Sequence, residues 1–178
     1  MHLLRVILLC WLCSFSAMQT QAASATETAG DVGVTLLPLT ALGLTYYFDD
    51  TNGGRWQMVK GFATNLAVTE VLKQSVKRER PNQHDNKSFP SGHTSVSFQS
   101  ATFIYKRYGW KPALLAYVLA SFVGYSRIKT NWHYGTDVLA GAIIGTASSY
   151  FFTTPYKGLN ITPTADLGTY RLRVSASW

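Results

Sequence analysis

The 178-residue sequence indicates an all-α protein that is built as a single bundle of five to six helices. Apolar or amphipathic stretches long enough for helices recur along the chain, and breaks rich in glycine, proline or asparagine separate them. Three short polar motifs lie at the ends of these stretches, so that helices would bring the motifs together. A chain of this length supports one domain with a real core, which we expect to span residues 26–155.

The amino terminus, residues 1–25, is typical of a secretory signal peptide. Arg5 precedes an apolar run over residues 6–18, and small residues that suit a cleavage zone follow. Cys10 and Cys13 both lie in this segment, so cleavage would leave a mature chain without thiol chemistry. The alternative is that the segment stays in place as a membrane anchor, although its apolar run is short for a span of ~20 residues.

The first two helices are predicted after a loose, small and polar lead-in over residues 26–31. A nearly uninterrupted apolar run over residues 32–48 contains Pro38 and is interpreted as a buried or membrane-contacting helix. A run of Asp, Asn and Gly residues then breaks the pattern. Residues 55–76 alternate apolar and polar side chains with helical spacing, which predicts an amphipathic helix.

Three further helices follow a polar loop that ends at Pro90. The third is predicted over residues 91–107 and ends before Gly109. Pro112 suits the first turn of a fourth helix that reaches about residue 126. The fifth, over residues 132–152, is rich in Ala and Gly, which allows close approach of neighbouring helices.

The tail over residues 156–178 has the loose alternation of polar and apolar side chains that favours β structure. One such segment cannot form a barrel, so we interpret it as an appendage to the bundle.

The net charge of +7 arises from a chain in which only 14% of residues are charged. Such an excess suits an anionic substrate, an anionic membrane surface or nucleic acid. Long Lys/Arg blocks interleaved with aromatic residues are absent from the sequence, so we expect no nucleic-acid partner. The helical segments are marginal in length and apolarity for spanning, which leaves open whether the protein is embedded in a membrane, peripheral or soluble.

The three motifs together supply the groups that a tetrahedral oxyanion requires. Lys73, Arg80 and Arg127 are cations, and guanidinium groups match phosphate oxygens two at a time. Ser91 and Gly92 lie at a predicted helix start, where a hydroxyl and free backbone N–H groups favour anions. We therefore expect these five residues to bind phosphate.

Two histidines and one carboxylate complete the candidate site. His133 and Asp137 are four residues apart and share a helix face, so the carboxylate can fix the imidazole tautomer and leave a nucleophilic nitrogen. His93 can protonate the leaving oxygen and later deprotonate water. Because Asp137 is the sole acid in its motif, no acidic cluster is present to hold a metal ion, and we expect neither metal nor other cofactor.

Each motif also has a simpler explanation when it is taken alone. Ser91 suits a plain N-cap, and the basic run that contains Lys73 and Arg80 suits a solvated helix face. His133 and Asp137 also suit an ordinary pair one helical turn apart. The order and spacing of the whole set decide between the two interpretations.

Three stretches of the chain are Lys73-x6-Arg80-Pro81, Pro90-Ser91-Gly92-His93 and Ser126-Arg127-x5-His133-x3-Asp137. Together they resemble the three-part signature of the type 2 phosphatidic acid phosphatase superfamily, which includes bacterial acid phosphatases and vanadium haloperoxidases. The resemblance implies a helical bundle with the active site at one end. It also implies that His133 is the nucleophile, that Asp137 orients it and that His93 is the general acid. Lys73, Arg80, Ser91, Gly92 and Arg127 match phosphate-binding positions.

Together with the signal-like amino terminus, this resemblance implies an exported phosphatase that acts on phosphorylated lipids through a phosphohistidine, at the outer face of the cytoplasmic membrane. Three alternatives stay open: a non-specific periplasmic acid phosphatase, a vanadate-dependent haloperoxidase, and a non-enzymatic protein that binds anionic membrane surfaces. The sequence does not decide the lipid, the choice between monoester and diphosphate, or the oligomeric state.

Overall fold

Five helices account for most of the chain, as the alternation of apolar stretches and breaks predicts. The computed structural model describes residues 2–48, 50, 53–156, 159–166 and 169–176, with side chains described for residues 25–48, 50 and 53–156. The helices are α1 His2–Tyr47, α2 Gly54–Val76, α3 Gly92–Tyr108, α4 Trp110–Lys129 and α5 Gly135–Phe152. An antiparallel pair of strands, β1 Leu159–Asp166 and β2 Thr169–Ala176, forms the tail. The all-α bundle with a β-like tail is confirmed.

The lead-in expected over residues 26–31 is helical and belongs to α1, so that interpretation is wrong. Its small polar residues suggested a loop, but tertiary packing overrides this weak local preference. Gly30 lies so close to α4 that an added Cβ would come within 2.1 Å of Ser126 Oγ. The close approach brings this part of α1 against the end of α4, where Arg127 lies.

α3 lies at the centre of the bundle and is packed most tightly against α5. A Cβ on Gly141 would lie 2.5 Å from the Ser91 carbonyl oxygen, and one on Gly145 would lie 2.1 Å from the Ser95 carbonyl oxygen. Only glycine permits this separation of the two backbones. The first turn of α3 is therefore held directly against α5.

Many of the buried side chains of α3 are polar, whereas many side chains exposed on the outside of the bundle are apolar. Residues along α3 such as Ser95, Gln99 and Thr102 are buried, and Thr102 shares a 2.9 Å hydrogen bond with Tyr117 of α4. A hydrophobic cluster that includes Leu37, Phe103 and Ile104 fills one side of the bundle. Large apolar side chains are exposed on the other faces, among them Val32, Leu36, Leu39, Val59, Leu66, Val71, Leu114, Leu115, Val118, Phe122, Leu139, Ile143 and Phe151.

One end of the bundle is closed by a buried ion pair that the sequence did not suggest. Arg107 Nε lies 2.7 Å from Asp50 Oδ2, and the two side chains are 1% and 0% exposed. The same guanidinium donates to the carbonyl oxygens of Thr154 and Pro155, and the hydroxyl of Tyr108 donates to Asp50. This network ties α3 to the segments that follow α1 and α5.

Among the described residues, one helix segment is long and apolar enough to cross a membrane. It is Ala25–Tyr47 of α1, with a mean hydropathy of 1.2. The signal peptide predicted over residues 1–25 falls almost entirely on residues whose side chains lie outside the described part, and its cleavage stays a prediction.

Candidate active site

The three motifs meet at the end of the bundle opposite the buried ion pair. Lys73 lies in the last turn of α2, Gly92 and His93 begin α3, Arg127 lies in the last turn of α4, and His133 lies in the loop before α5. A cavity of about 470 Å³ lies between these elements. Its lining consists of Glu27, Asp31, Lys73, Arg80, Gly92, His93, Arg127, Trp132 and His133. All predicted site residues line it except Ser91 and Asp137.

The hydrogen bonds of His133 define its tautomer. Its Nδ1 lies 2.6 Å from the Ser88 carbonyl oxygen, which only accepts, so Nδ1 carries the proton. Nε2 lies 3.1 Å from Nη1 of Arg80, which only donates, so Nε2 is unprotonated and accepts this hydrogen bond. Burial, together with the charges of Arg80 and Lys73, lowers the pKa of His133 to about 3. The ring is therefore neutral at physiological pH, with its unprotonated Nε2 towards Arg80.

Asp137 supports His133 by a different route from the direct hydrogen bond that we expected. The closest approach of its carboxylate to His133 Nδ1 is 3.9 Å, because the ring N–H is donated to the Ser88 carbonyl. The carboxylate instead accepts the Ser88 hydroxyl at 2.6 Å and the Tyr134 backbone N–H at 2.9 Å. Asp137 thus holds in place the residue whose carbonyl orients the histidine.

Arg78 also belongs to the candidate site, through a contact with Asp137, and we did not predict it from the sequence. Its Nη1 lies 2.7 Å from Asp137 Oδ1 and 2.7 Å from Thr136 Oγ1, and its guanidinium stacks 4.1 Å from the Tyr134 ring centroid. Its backbone carbonyl also accepts the Ser88 N–H. Arg78 therefore neutralises the fully buried carboxylate of Asp137. Its place two residues before Arg80, in a run of basic residues, gave no signal that set it apart.

Ser91 caps α3, and its expected role as a hydroxyl donor to phosphate stays a prediction. The side chain is fully buried, its Oγ shares a 2.9 Å hydrogen bond with Thr94 Oγ1, and it faces the Thr94 backbone N–H. The simpler N-cap explanation describes this hydroxyl in the structure. Gly92 and His93 follow it into the cavity lining, at the amino-terminal end of the helix.

Lys73 and Arg80 bring positive charge into the cavity while they hold the loop between α2 and α3. Lys73 Nζ donates to the carbonyl oxygens of Lys87 and Pro90, at 2.9 and 2.7 Å. Burial and the neighbouring Arg80 lower the pKa of Lys73 to about 8. Arg80 pairs with Asp85 at 2.6 Å and thereby lowers the pKa of that carboxyl to about 2. A second guanidinium nitrogen of Arg80 stays directed at His133.

α1 adds two carboxylates to the cavity, and the sequence analysis assigned neither. Asp31 Oδ1 lies 3.2 Å from His93 Nε2 and 3.0 Å from Arg127 Nη1. Glu27 accepts the indole N–H of Trp132 at 2.7 Å, and its backbone carbonyl accepts from Arg127 Nη2. Because we expected a loop over residues 26–31, we did not predict that Glu27 and Asp31, which are four residues apart, share one face of a helix.

Within the described part of the chain, no group of three or more His, Cys, Asp or Glu side chains is arranged to hold a metal ion. The donors around the cavity are mostly cationic or neutral, which suits an anion.

The fold resembles that of two solved structures. Aquifex aeolicus LpxE superposes with a TM-score of 0.62 at 21% identity, over 74% of this chain and 85% of that one. A transmembrane PAP2-type phosphatidylglycerolphosphate phosphatase from Bacillus subtilis superposes with a TM-score of 0.60 at 22% identity, over 79% and 84% of the two chains. Both likenesses concern the fold alone.

Sequence comparison finds relatives over the part of the chain that carries the motifs. A lipid A 4′-phosphatase from Helicobacter pylori is 39% identical over 79 residues, which are 44% of this chain and 40% of the relative. A lipid A 1-phosphatase from Porphyromonas gingivalis is 42% identical over 88 residues, 48% of this chain and 20% of the relative. The chain thus spans less than half the length of these relatives. The PAP2 superfamily model matches residues 55–160, which contain all three motifs. On this match, and on the site that the motifs build, the chain belongs to the PAP2 superfamily.

Proposed function

We propose that the protein is a metal-independent phosphatase that hydrolyses phosphate monoesters or diphosphates of lipids through a phosphohistidine intermediate. The observation that carries this proposal is the unprotonated Nε2 of His133, which faces a cavity lined by Lys73, Arg80 and Arg127. A neutral imidazole beside three cations is suited to attack a bound phosphoryl group rather than to bind it by charge.

In the first step, His133 Nε2 attacks phosphorus while the bond between phosphorus and the leaving oxygen breaks. The cations and the backbone N–H groups at Gly92 stabilise the charge on the phosphoryl oxygens in the transition state. His93 donates a proton to the leaving oxygen, so an alcohol departs neutral and a leaving phosphate departs with one negative charge fewer. The product is a phosphoryl group bonded to His133.

In the second step, water attacks the phosphohistidine. His93, now unprotonated, takes a proton from that water as the bond between phosphorus and His133 Nε2 breaks. Inorganic phosphate leaves, and both histidines return to their starting forms. Asp137, Ser88 and Arg78 act throughout by holding the Nδ1–H of His133 in one orientation.

An apolar groove near the cavity supports a lipid substrate. It has a volume of about 310 Å³ and lies between α1 and α2. Leu66, at one end of it, lies roughly two helical turns before Lys73 on α2, so acyl chains of a lipid with its phosphate in the cavity can reach the groove. Its lining is Pro38, Leu39, Leu42, Met58, Val59, Phe62, Ala63 and Leu66.

We further propose that the protein associates with a membrane and acts at the periplasmic face of the cytoplasmic membrane. The apolar side chains exposed on several helices and the potential span at Ala25–Tyr47 support membrane association. The signal-like amino terminus supports export.

The test is phosphate release by the purified full chain in mild detergent with EDTA present. We expect hydrolysis of at least one of phosphatidic acid, phosphatidylglycerophosphate, undecaprenyl diphosphate or lipid A, and a phosphorylated histidine trapped by rapid quenching. Activity that EDTA abolishes would contradict the metal-independent route. Faster cleavage of a soluble ester than of any lipid would instead favour an acid phosphatase, and halide oxidation with vanadate would favour a haloperoxidase.

A matched pair of variants tests the groove. Leu66→Ser places a hydroxyl in it, whereas Leu139→Ser makes the same change on an exposed face of α5 outside it. We expect Leu66→Ser to raise KM for a long-chain lipid phosphate and to leave a short-chain analogue unaffected. Equal effects of the two variants on the long-chain substrate would argue against the groove as an acyl site.

A further inference from the structure

Asp31 occupies the two donors that a bound phosphoryl group would need. One oxygen, Oδ1, bridges His93 Nε2 at 3.2 Å and Arg127 Nη1 at 3.0 Å. An anionic oxygen shared by a guanidinium and an imidazole is bonded as an oxygen of a phosphate at these two donors would be. The carboxylate thus imitates part of the substrate.

The surroundings of Arg127 direct Nη1 at this position. The side chain is only 4% exposed, its Nε donates to Ser126 Oγ, and its Nη2 donates to the Glu27 carbonyl oxygen. These bonds hold the guanidinium while Nη1 faces the cavity. Asp31, by contrast, is 50% exposed and has room to rotate into solvent.

A phosphate dianion and the Asp31 carboxylate cannot share these donors, because like charges a few ångströms apart repel strongly even beside solvent. Lys73 and Arg80 also line the cavity, and their partners are the Lys87 and Pro90 carbonyls, Asp85 and His133 rather than Asp31. The Asp31 carboxylate therefore offsets part of the positive charge of the cavity before a phosphoryl group binds.

We propose that Asp31 is an internal competitor for the phosphate site: its carboxylate occupies Arg127 and His93 in the empty enzyme, is displaced by the substrate phosphoryl group, and returns to expel inorganic phosphate. The residue lies on α1, outside the residues 55–160 that match the family model. Asp31 thus sets how tightly product phosphate is held, in addition to preserving the orientation of Arg127 between turnovers. This inference rests on the proposed phosphatase function.

The experiment measures the binding of inorganic phosphate and of orthovanadate to the full chain by calorimetry, with no turnover required. Asp31→Asn removes the charge and keeps the shape. The control Glu70→Gln removes an exposed carboxylate one turn before Lys73 that contacts neither Arg127 nor His93. We expect Asp31→Asn to bind phosphate about tenfold more tightly, and Glu70→Gln to stay within about twofold of wild type.

Unchanged or weaker phosphate binding in Asp31→Asn would overturn the proposal, as would an equal gain in Glu70→Gln. Thermal melting checks folding, and Asp31→Ser repeats the test if the Asn variant does not fold. Failure of both to fold would make Asp31 structural and also overturn it. A wild-type protein that binds no phosphate would contradict the proposed function itself, which separates the two failures.

Discussion

The two ends of the bundle use arginine in opposite ways. At the closed end, Arg107 and Asp50 are buried together, and the remaining donors of the guanidinium meet backbone carbonyls. At the cavity end, Arg127 is almost as buried, but its ion-pair partner Asp31 is half-exposed. The guanidinium of Arg107 is therefore bonded to buried groups of the protein, whereas Nη1 of Arg127 faces the cavity, where it can bind a ligand.

This difference separates structural from functional charge without reference to motifs. A buried pair that is fully bonded contributes to stability only as long as both partners remain. A buried cation with a displaceable partner keeps its binding capacity for an anion that arrives from solvent. Four predictions test this contrast, from the largest expected effect to the smallest.

Replacing the nucleophile should have the largest effect. His133→Ala removes the attacking nitrogen, so we expect kcat to fall at least about 10⁴-fold and the phosphorylated intermediate to disappear. The matched control is His84→Ala, at an exposed histidine in the loop between α2 and α3, with little change expected. Retention of most activity in His133→Ala, in a protein that melts normally, would refute the proposed mechanism.

At the closed end, Arg107→Ala should unfold the protein more readily without impairing its chemistry. It leaves the Asp50 carboxylate buried and uncompensated, which costs about 3–5 kcal/mol of unfolding free energy. Denaturant titration measures this loss, and kcat per folded molecule should stay close to wild type. The double variant Arg107→Met, Asp50→Asn should recover part of the stability; a large fall in kcat would show that the two ends are coupled.

At the cavity end, Arg127→Lys should reverse that pattern. A lysine keeps the charge but loses the fixed fork that Ser126 and the Glu27 carbonyl orient, so we expect kcat/KM to fall about 10²-fold with a small change in melting temperature. A loss of stability as large as that of Arg107→Ala would erase the distinction between the two arginines.

The pH dependence follows from the two histidines. Burial and the charge of Arg127 lower the pKa of His93 below 6.5, against the opposing effect of Asp31. The general acid must be protonated, so kcat/KM should fall as pH rises through that pKa. His133 must be neutral, and its pKa of about 3 keeps it so at mildly acidic pH. An initial-rate profile that instead rises from pH 5 to 8 would contradict these roles.

The sequence was sufficient to predict most residues that line the cavity, but not the residues and backbone groups that hold them in place. Motif spacing identified Lys73, Arg80, His93, Arg127 and His133, because residues at helix ends converge when the helices pack antiparallel. The orientation of His133 could not be predicted, since it depends on a backbone carbonyl, which every residue possesses.

The carboxylates of α1 were missed for a related reason. Glu27 and Asp31 lie about 100 residues from Arg127 in the chain, and only the packing of Gly30 against Ser126 brings them to it. The pair of Asp50 and Arg107 likewise joins positions 57 residues apart. Contacts of this range leave no periodicity in the sequence.

The close seam between Gly141, Gly145 and α3 has a consequence for how such a protein can diversify. Because backbone contacts along the seam help to position the first turn of α3, side chains on the outward faces can be exchanged without displacing His93. Descendants of one ancestor could thus adapt to membranes of different thickness or to other acyl tails while their reaction centre stays fixed. Enlarging either glycine would push the two helices apart and move that centre, so we expect both positions to tolerate no larger side chain.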